Sequence, residues 1–167
     1  QQVGLPTPTD RLEGDVTCHV AIVGAGLTGL WTAYYLHAAD PTLDIRLVEA
    51  EFAGFGASGR NGGWLSSELP GSPRAYAAVA GEAGLEAMRA AVRGSVHEVI
   101  AVAGREGIDA DIRLSGVLHV ARSQAQAERL DGELSAAQVA ARIRVAGAVS
   151  GHVDADCARV HPARLVA

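Results

Sequence analysis

Lysine is missing altogether. All 14 basic side chains are arginine, so the chain offers neither a Schiff-base lysine nor a P-loop lysine. Cysteine is almost as scarce: Cys18 and Cys157 stand alone, with no C-x-x-C spacing. That excludes a disulfide framework and leaves the cytosol as the expected compartment. Positive charge is in deficit as well. At a net charge of −5, the chain lacks the basic footprint of a nucleic-acid binder, and no nucleic-acid partner is expected. No apolar run reaches the roughly 18–20 residues of a membrane span, so no membrane partner is expected either. Residues 1–15 hold no cationic start followed by an apolar block. They are rich in Pro, Thr and Gly and read as a loose arm.

Catalytic and metal frameworks are also thin. There is no G-x-S-x-G nucleophile elbow. The histidines are dispersed, and His152 with Asp154, Asp156, Cys157 and His161 forms the one local cluster. It lacks H-E-x-x-H spacing, so no metal site is expected. What the chain does have is length for one domain, 167 residues, and enough apolar content for a core, 49%. Abundant alanine beside all-arginine basic residues suggests a GC-rich coding sequence.

One stretch organises the rest: His19-Val20-Ala21-Ile22-Val23-Gly24-Ala25-Gly26-Leu27-Thr28-Gly29-Leu30. Val20, Ile22 and Val23 predict a buried strand, and a helix follows. Gly24, Gly26 and Gly29 match G-x-G-x-x-G, which serves a tight turn, close backbone approach to a pyrophosphate, and close packing of helix on strand. Helix-start amides and the helix dipole favour the phosphate charge. A ribose-holding acid is expected about 20 residues on. Glu49 meets this at the end of a second strand, Asp44-Ile45-Arg46-Leu47-Val48. The helix between carries Leu27, Leu30, Trp31, Tyr34, Tyr35 and Leu36 on a helical-period apolar face, and Asp40-Pro41 stops it. Trp31, Tyr34 and Tyr35 are read as core packing rather than a ligand box.

A glycine-dense loop comes directly after the acid: Ala50-Glu51-Phe52-Ala53-Gly54-Phe55-Gly56-Ala57-Ser58-Gly59-Arg60-Asn61-Gly62-Gly63. So many glycines favour neither helix nor strand interior. They let backbone approach a flat or anionic ligand, with Ser58 and Asn61 able to hydrogen-bond it and Arg60 to oppose phosphate charge. Phe52, Phe55 and Arg60 distinguish the loop from a flexible spacer.

These three segments together resemble the N-terminal part of the FAD-dependent D-amino acid oxidase-like superfamily. The likeness is strongest to its branch of gamma-glutamylputrescine oxidoreductases and glycine/sarcosine oxidase-like amine oxidases. The stretch Gly56-Ala57-Ser58-Gly59-Arg60-Asn61-Gly62-Gly63 is the most specific part; the glycine turn alone would also fit an NAD enzyme. The resemblance implies an α/β fold: a Rossmann-like βαβ start plus a portion of a mixed α+β substrate domain, incomplete as it stands. It implies noncovalent FAD, held by Gly24, Ala25, Gly26, Leu27, Thr28 and Gly29 at the pyrophosphate and by Glu49 and Ala50 at the adenosine ribose. Ala57, Ser58, Gly59, Arg60, Asn61, Gly62 and Gly63 would run beneath the pyrophosphate towards the isoalloxazine ring, with Trp64 and Leu65 near the flavin. No histidine or cysteine in this region could carry a covalent flavin.

Further along, Ser72-Pro73 marks a helix start, and 75–106 reads helical, with Gly81 and Gly84 as early interruptions. His97 is expected at the helix surface. Residues 111–121 read as strand, a kink at Gly116, and strand. Ile112, Leu114, Leu118 and Val120 share one face. Asp111, Arg113, Ser115 and His119 share the other, which is expected to be solvated unless His119 turns to a substrate. A polar-sided helix in two pieces is expected over 123–142, joined near Gly132-Glu133-Leu134-Ser135, with a few residues fewer than relatives usually carry here. Residues 146–153 read as extended, and His161-Pro162 as a helix start. Cys157 is read as structural.

The expected organisation is arm 1–15, cofactor-binding domain 16–107, substrate-domain segment 108–152, and return into the cofactor domain over 153–167. A βαβ start cannot bury both faces of its parallel sheet alone. The strand at Val20–Val23 should therefore have an open edge or be completed by the remainder of the same polypeptide or a second chain. The activity implied is oxidation of a C–N bond of an amine or amino-acid substrate. Two readings compete with it: a non-catalytic dinucleotide-binding remnant or interaction module, and an NAD-dependent dehydrogenase. No catalytic acid or base is assigned.

Overall fold

The computed structural model describes residues 11–132, 134 and 142–166. The arm over 1–10 and the second helical piece over 135–141 lie outside them. The chain forms two compact units. Of the described residues, the first takes 11–63, Ile108–Ala110 and 161–166; the second takes Trp64–Gly107 and those between Asp111 and Val160.

In the first unit, β1 (Val20–Val23), α1 (Leu27–Ala39) and β2 (Ile45–Val48) make a βαβ start. The strands pair in parallel, with Val20 opposite Ile45 and Val23 opposite Val48. Among the described residues this sheet has only these two strands, so β1 keeps the open edge expected of it. The expectation of a buried strand does not hold: Val23 is 86% exposed. A two-stranded sheet offers α1 little to cover, and α1 likewise has no fully buried residue. Trp31, Tyr34 and Tyr35 instead pack on one another, with Trp31 and Tyr35 stacked at 5.7 Å between ring centroids. The short helices α2 (Ala57–Arg60) and α5 (Pro162–Leu165) complete the unit. The His161 amide donates to Ala110 O at 2.7 Å, and Val166 packs against Gly54 so closely that a Cβ there would lie 2.1 Å from its methyl.

The second unit is built on α3 (Pro73–Arg105) and two three-stranded sheets. Ser72 is the residue before α3 and Pro73 its first, as the sequence predicts, although the Ser72 side chain makes no capping bond. The helix is broken at Gly81 and buries Leu85, Val96 and Val102, the helical spacing of its apolar residues. One sheet joins β3 (Trp64–Leu65), β8 (Ala158–Arg159) and β4 (Arg113–Leu114); the other joins β5 (Val117–Ala121), β7 (Ser150–Asp154) and β6 (Arg142–Ile143). The helix α4 (Gln124–Asp131) follows β5. Arg142, expected in a helix, lies in β6.

The predicted kink at Gly116 sits between β4 and β5, where φ is +69°. It does more than bend a strand, since the two halves enter different sheets. The predicted burial is reversed in β5, and in β4 both Arg113 and Leu114 are exposed. Leu114, Leu118 and Val120 are 53, 50 and 39% exposed, while His119 points inward and stacks on His152 with ring centroids 4.6 Å apart. Alternation sets which residues share a face, not which face is covered. Here the histidine face is the one turned to the unit's interior.

Candidate cofactor site

The expected site residues in the first unit converge. Gly24 closes β1 with φ +101°, a conformation that L side chains rarely adopt, and its amide donates to Val48 O at 2.7 Å. The next residue, Ala25, is 2% exposed. Gly26 is the N-cap of α1. Gly29 lies one turn into the helix, where an added Cβ would stand 2.0 Å from Gly24 O and 3.2 Å from the Ile22 side chain. That is the helix-on-strand closeness for which the third glycine of the pattern is needed. Thr28 is exposed, and its backbone carbonyl accepts the Thr32 hydroxyl at 2.7 Å.

Two side chains brace this turn from within. Glu49 Oε2 accepts the Ala25 amide at 2.8 Å, and its Oε1 accepts the amides of Ala50 at 2.8 Å and Glu51 at 3.3 Å. Those bonds, first that from Ala25 and then that from Glu51, hold the Glu49 carboxyl below its ordinary value. A carboxylate has about four lone-pair sites, so accepting these amides leaves room for a ribose hydroxyl. Ser58 Oγ accepts the Leu27 amide at 2.9 Å and keeps its own proton to donate. This bracing was not foreseen from the sequence, where Ser58 is read only as a ligand contact. An acceptor in a glycine-rich loop after the second strand was the only available signal.

The rest of the loop is held tightly for so many glycines. Gly54 donates to Ala25 O at 2.9 Å and Gly59 to Gly54 O at 3.1 Å. Asn61 turns inward: its Nδ2 donates to Ser58 O at 2.8 Å and its Oδ1 accepts the Gly63 amide at 2.8 Å, closing the end of α2. Arg60 lies over the Phe55 ring, 4.3 Å from its centroid, and is exposed, as are Ala57 and Gly62. Trp64 and Leu65 belong to the second unit as β3, with Trp64 75% exposed. Within the first unit the structure brings together Gly24 to Gly29, Glu49, Ala50 and Ala57 to Gly63; Trp64 and Leu65 fall in the second unit.

The cradle fits a dinucleotide. The Gly26 and Thr28 amides stand at a helix start, where backbone donors lack intrahelical partners. The Ala25 and Leu27 amides are occupied by Glu49 and Ser58, so the turn is already shaped before anything binds.

The chain is similar in sequence and fold to known proteins. The family model described as DAO, FAD dependent oxidoreductase, matches residues 19–167. The gamma-glutamylputrescine oxidoreductase of Escherichia coli K12 is 52% identical over 58 residues, 35% of this chain and 13% of that protein. Coproporphyrinogen III oxidase of Staphylococcus aureus is 44% identical over 52 residues, 31% of this chain and 10% of that protein. Among solved structures, glycine oxidase from Geobacillus kaustophilus superposes with a TM-score of 0.61 at 18% identity, covering 89% of this chain and 42% of that one. L-amino acid deaminase from Proteus vulgaris gives 0.62 at 20% identity, covering 95% and 43%. These two likenesses speak to the fold. The chain thus spans less than half the length of the solved relatives and a still smaller part of the curated ones.

Proposed function

The chain belongs to the DAO family of FAD dependent oxidoreductases, and from that premise we propose that it supplies the cofactor-holding part of an enzyme oxidising the C–N bond of an amine or amino acid. The observation that carries this reading is the convergence of Glu49 and Ser58 on the turn amides of Ala25 and Leu27. Gly24 to Gly29 then receive the pyrophosphate, with the Gly26 and Thr28 amides and the α1 dipole facing its charge. Glu49 and Ala50 stand at the adenosine ribose. The Ser58 hydroxyl donates to a phosphate oxygen, and Arg60 lends positive charge from α2. Trp64 and Leu65 lie towards the flavin ring.

FAD, when bound, supplies a two-electron acceptor for converting an amine to an imine. This chain's own part is to bind and orient it. The binding is noncovalent, and a cytosolic setting is consistent with two free cysteines. Segment 16–107 acts as the cofactor-binding part, 108–152 as one wall of the substrate domain, and 153–167 as the return. The remainder of the same polypeptide or a second chain completes the sheet at the open edge of β1.

The test is anaerobic mixing of the protein with a panel of primary amines, secondary amines and amino acids. Bleaching of a flavin band by one of these classes supports the proposal. A flavin that none of them reduces removes the substrate assignment. A colourless 17.2 kDa species that takes up no FAD supports the non-catalytic remnant instead.

A further inference from the structure

The second unit contains a cavity of about 250 Å³, and its polar lining is not used by the cofactor reading. Charged groups reach it from several elements: Glu68 from the loop after β3, Arg89 and Arg93 from α3, His119 from β5, and His152 and Asp154 from β7. Most are spoken for. Asp154 accepts the Ser67 hydroxyl at 2.9 Å and the Asp156 amide at 3.0 Å. Arg89 pairs with Glu86 at 2.5 Å. Glu68 Oε1 lies 2.6 Å from His119 Nε2, a close contact without hydrogen-bond alignment.

Two groups remain. Arg93 makes no hydrogen bond or ion pair among the described residues. His152 is 2% exposed, and neither of its ring nitrogens has a hydrogen-bond partner among the described residues. A buried polar atom left unpaired costs about 1–3 kcal/mol, and folded proteins rarely tolerate one without a ligand or water at hand. Burial, chiefly, and the neighbouring His119 keep the ring's proton affinity low, against Glu68 and Asp154. The neutral ring still has one N–H to donate.

What Arg93 and His152 lack in common is an acceptor. A guanidinium fork matches a planar carboxylate in a bidentate way, and an imidazole N–H can add a third bond. Leu69, Pro73 and Leu130 on the same walls give a short alkyl chain apolar contact. Glu68 and Asp154 count against a dianion. We propose that this cavity is a binding site for a small monocarboxylate, its carboxylate held by Arg93 and hydrogen-bonded by His152. The site needs no FAD, so it stands or falls apart from the proposed oxidoreductase activity.

The experiment is an NMR titration of the protein carrying this chain, with ring-labelled histidine, at constant ionic strength. The probes are acetate, propionate and inorganic phosphate. Acetate and propionate should shift the His152 and His119 ring signals saturably, and phosphate should not. Arg93→Gln should weaken acetate binding about tenfold, and Arg93→Lys, which keeps the charge and loses the fork, by less. Arg113→Gln on β4, outside the cavity, should leave it unchanged. A shift that does not saturate means that only water, or another part of the protein, occupies the cavity, and overturns the proposal. Equal response to phosphate overturns the carboxylate assignment. Unchanged affinity in both Arg93 variants removes that residue from the site and the proposal with it; if Arg93→Gln fails to fold, the lysine variant decides.

Discussion

The glycine turn of the first unit and the histidine cavity of the second treat their polar groups in opposite ways. In the turn, the awkward backbone donors are met from nearby: Glu49 takes the Ala25, Ala50 and Glu51 amides, and Ser58 takes that of Leu27. In the cavity, a nearly fully buried His152 has both ring nitrogens without a hydrogen-bond partner among the described residues. The first arrangement is shaped before binding, so a ligand there meets little ordering cost. The second is left with an unmet need. A preformed cradle is recognised by what it already satisfies, and a ligand-dependent one by what it leaves unsatisfied.

Substitutions can break this contrast, and the largest effect should come from Gly29. Its Cβ would meet backbone, Gly24 O at 2.0 Å, which cannot move aside without opening the turn. Gly29→Val should cost about 3 kcal/mol, the upper part of the usual overpacking range, read as a lower urea midpoint, and should abolish flavin retention. Gly26→Leu is expected to abolish retention too, since a Cβ there would lie 2.9 Å from Ser58 Oγ; stoichiometric flavin in that variant would refute its place beside the pyrophosphate. Ser58→Ala should be milder. It strands the Leu27 amide at a cost of about 1–2 kcal/mol, and Ser58→Thr, which keeps the hydroxyl, should recover most of it in the same unfolding assay.

The cavity should reveal itself through pH. The His152 ring has a folded value below its ordinary 6.5. Above 6.5 both folded and unfolded forms are neutral, and the ring contributes no pH dependence. As pH falls below that point the unfolded chain takes up the proton first, so stability drops until the folded ring also protonates. Urea midpoints compared at about pH 8 and pH 5.5 should therefore differ less in His152→Gln than in the parent. The smallest effect is expected outside both regions. Leu118→Thr on the half-exposed face of β5 should change stability by less than about 1 kcal/mol; a larger loss would show that the face is covered in the folded protein.

How far the sequence reaches differs between the two regions for a physical reason. The turn was legible because its chemistry is local and written in spacing. Three glycines, an acid at the end of the next strand and the glycine loop after it are short-range requirements, and the structure draws those residues together. The helix start at Ser72-Pro73 and the break at Gly116 were legible for the same reason, being backbone preferences of single residues. Burial was not. Whether Leu118 or His119 faces inward depends on which side of β5 is covered, and alternation along the strand does not say which side that is. Pairing of His119 with His152 is a register between strands 33 positions apart, and no periodicity within either strand encodes it. The same limit explains β1, whose apolar composition reads as buried while Val23 stands exposed.

The central claim is that the braced glycine turn holds FAD without a covalent bond. Equilibrate the protein with excess FAD, remove the unbound fraction, and record the visible spectrum before and after acid precipitation. The account predicts flavin bands at one FAD per chain in the native protein, all of it released into the supernatant, and none retained by Gly29→Val. A parent protein that retains no flavin, or flavin that stays with the acid pellet, would contradict it.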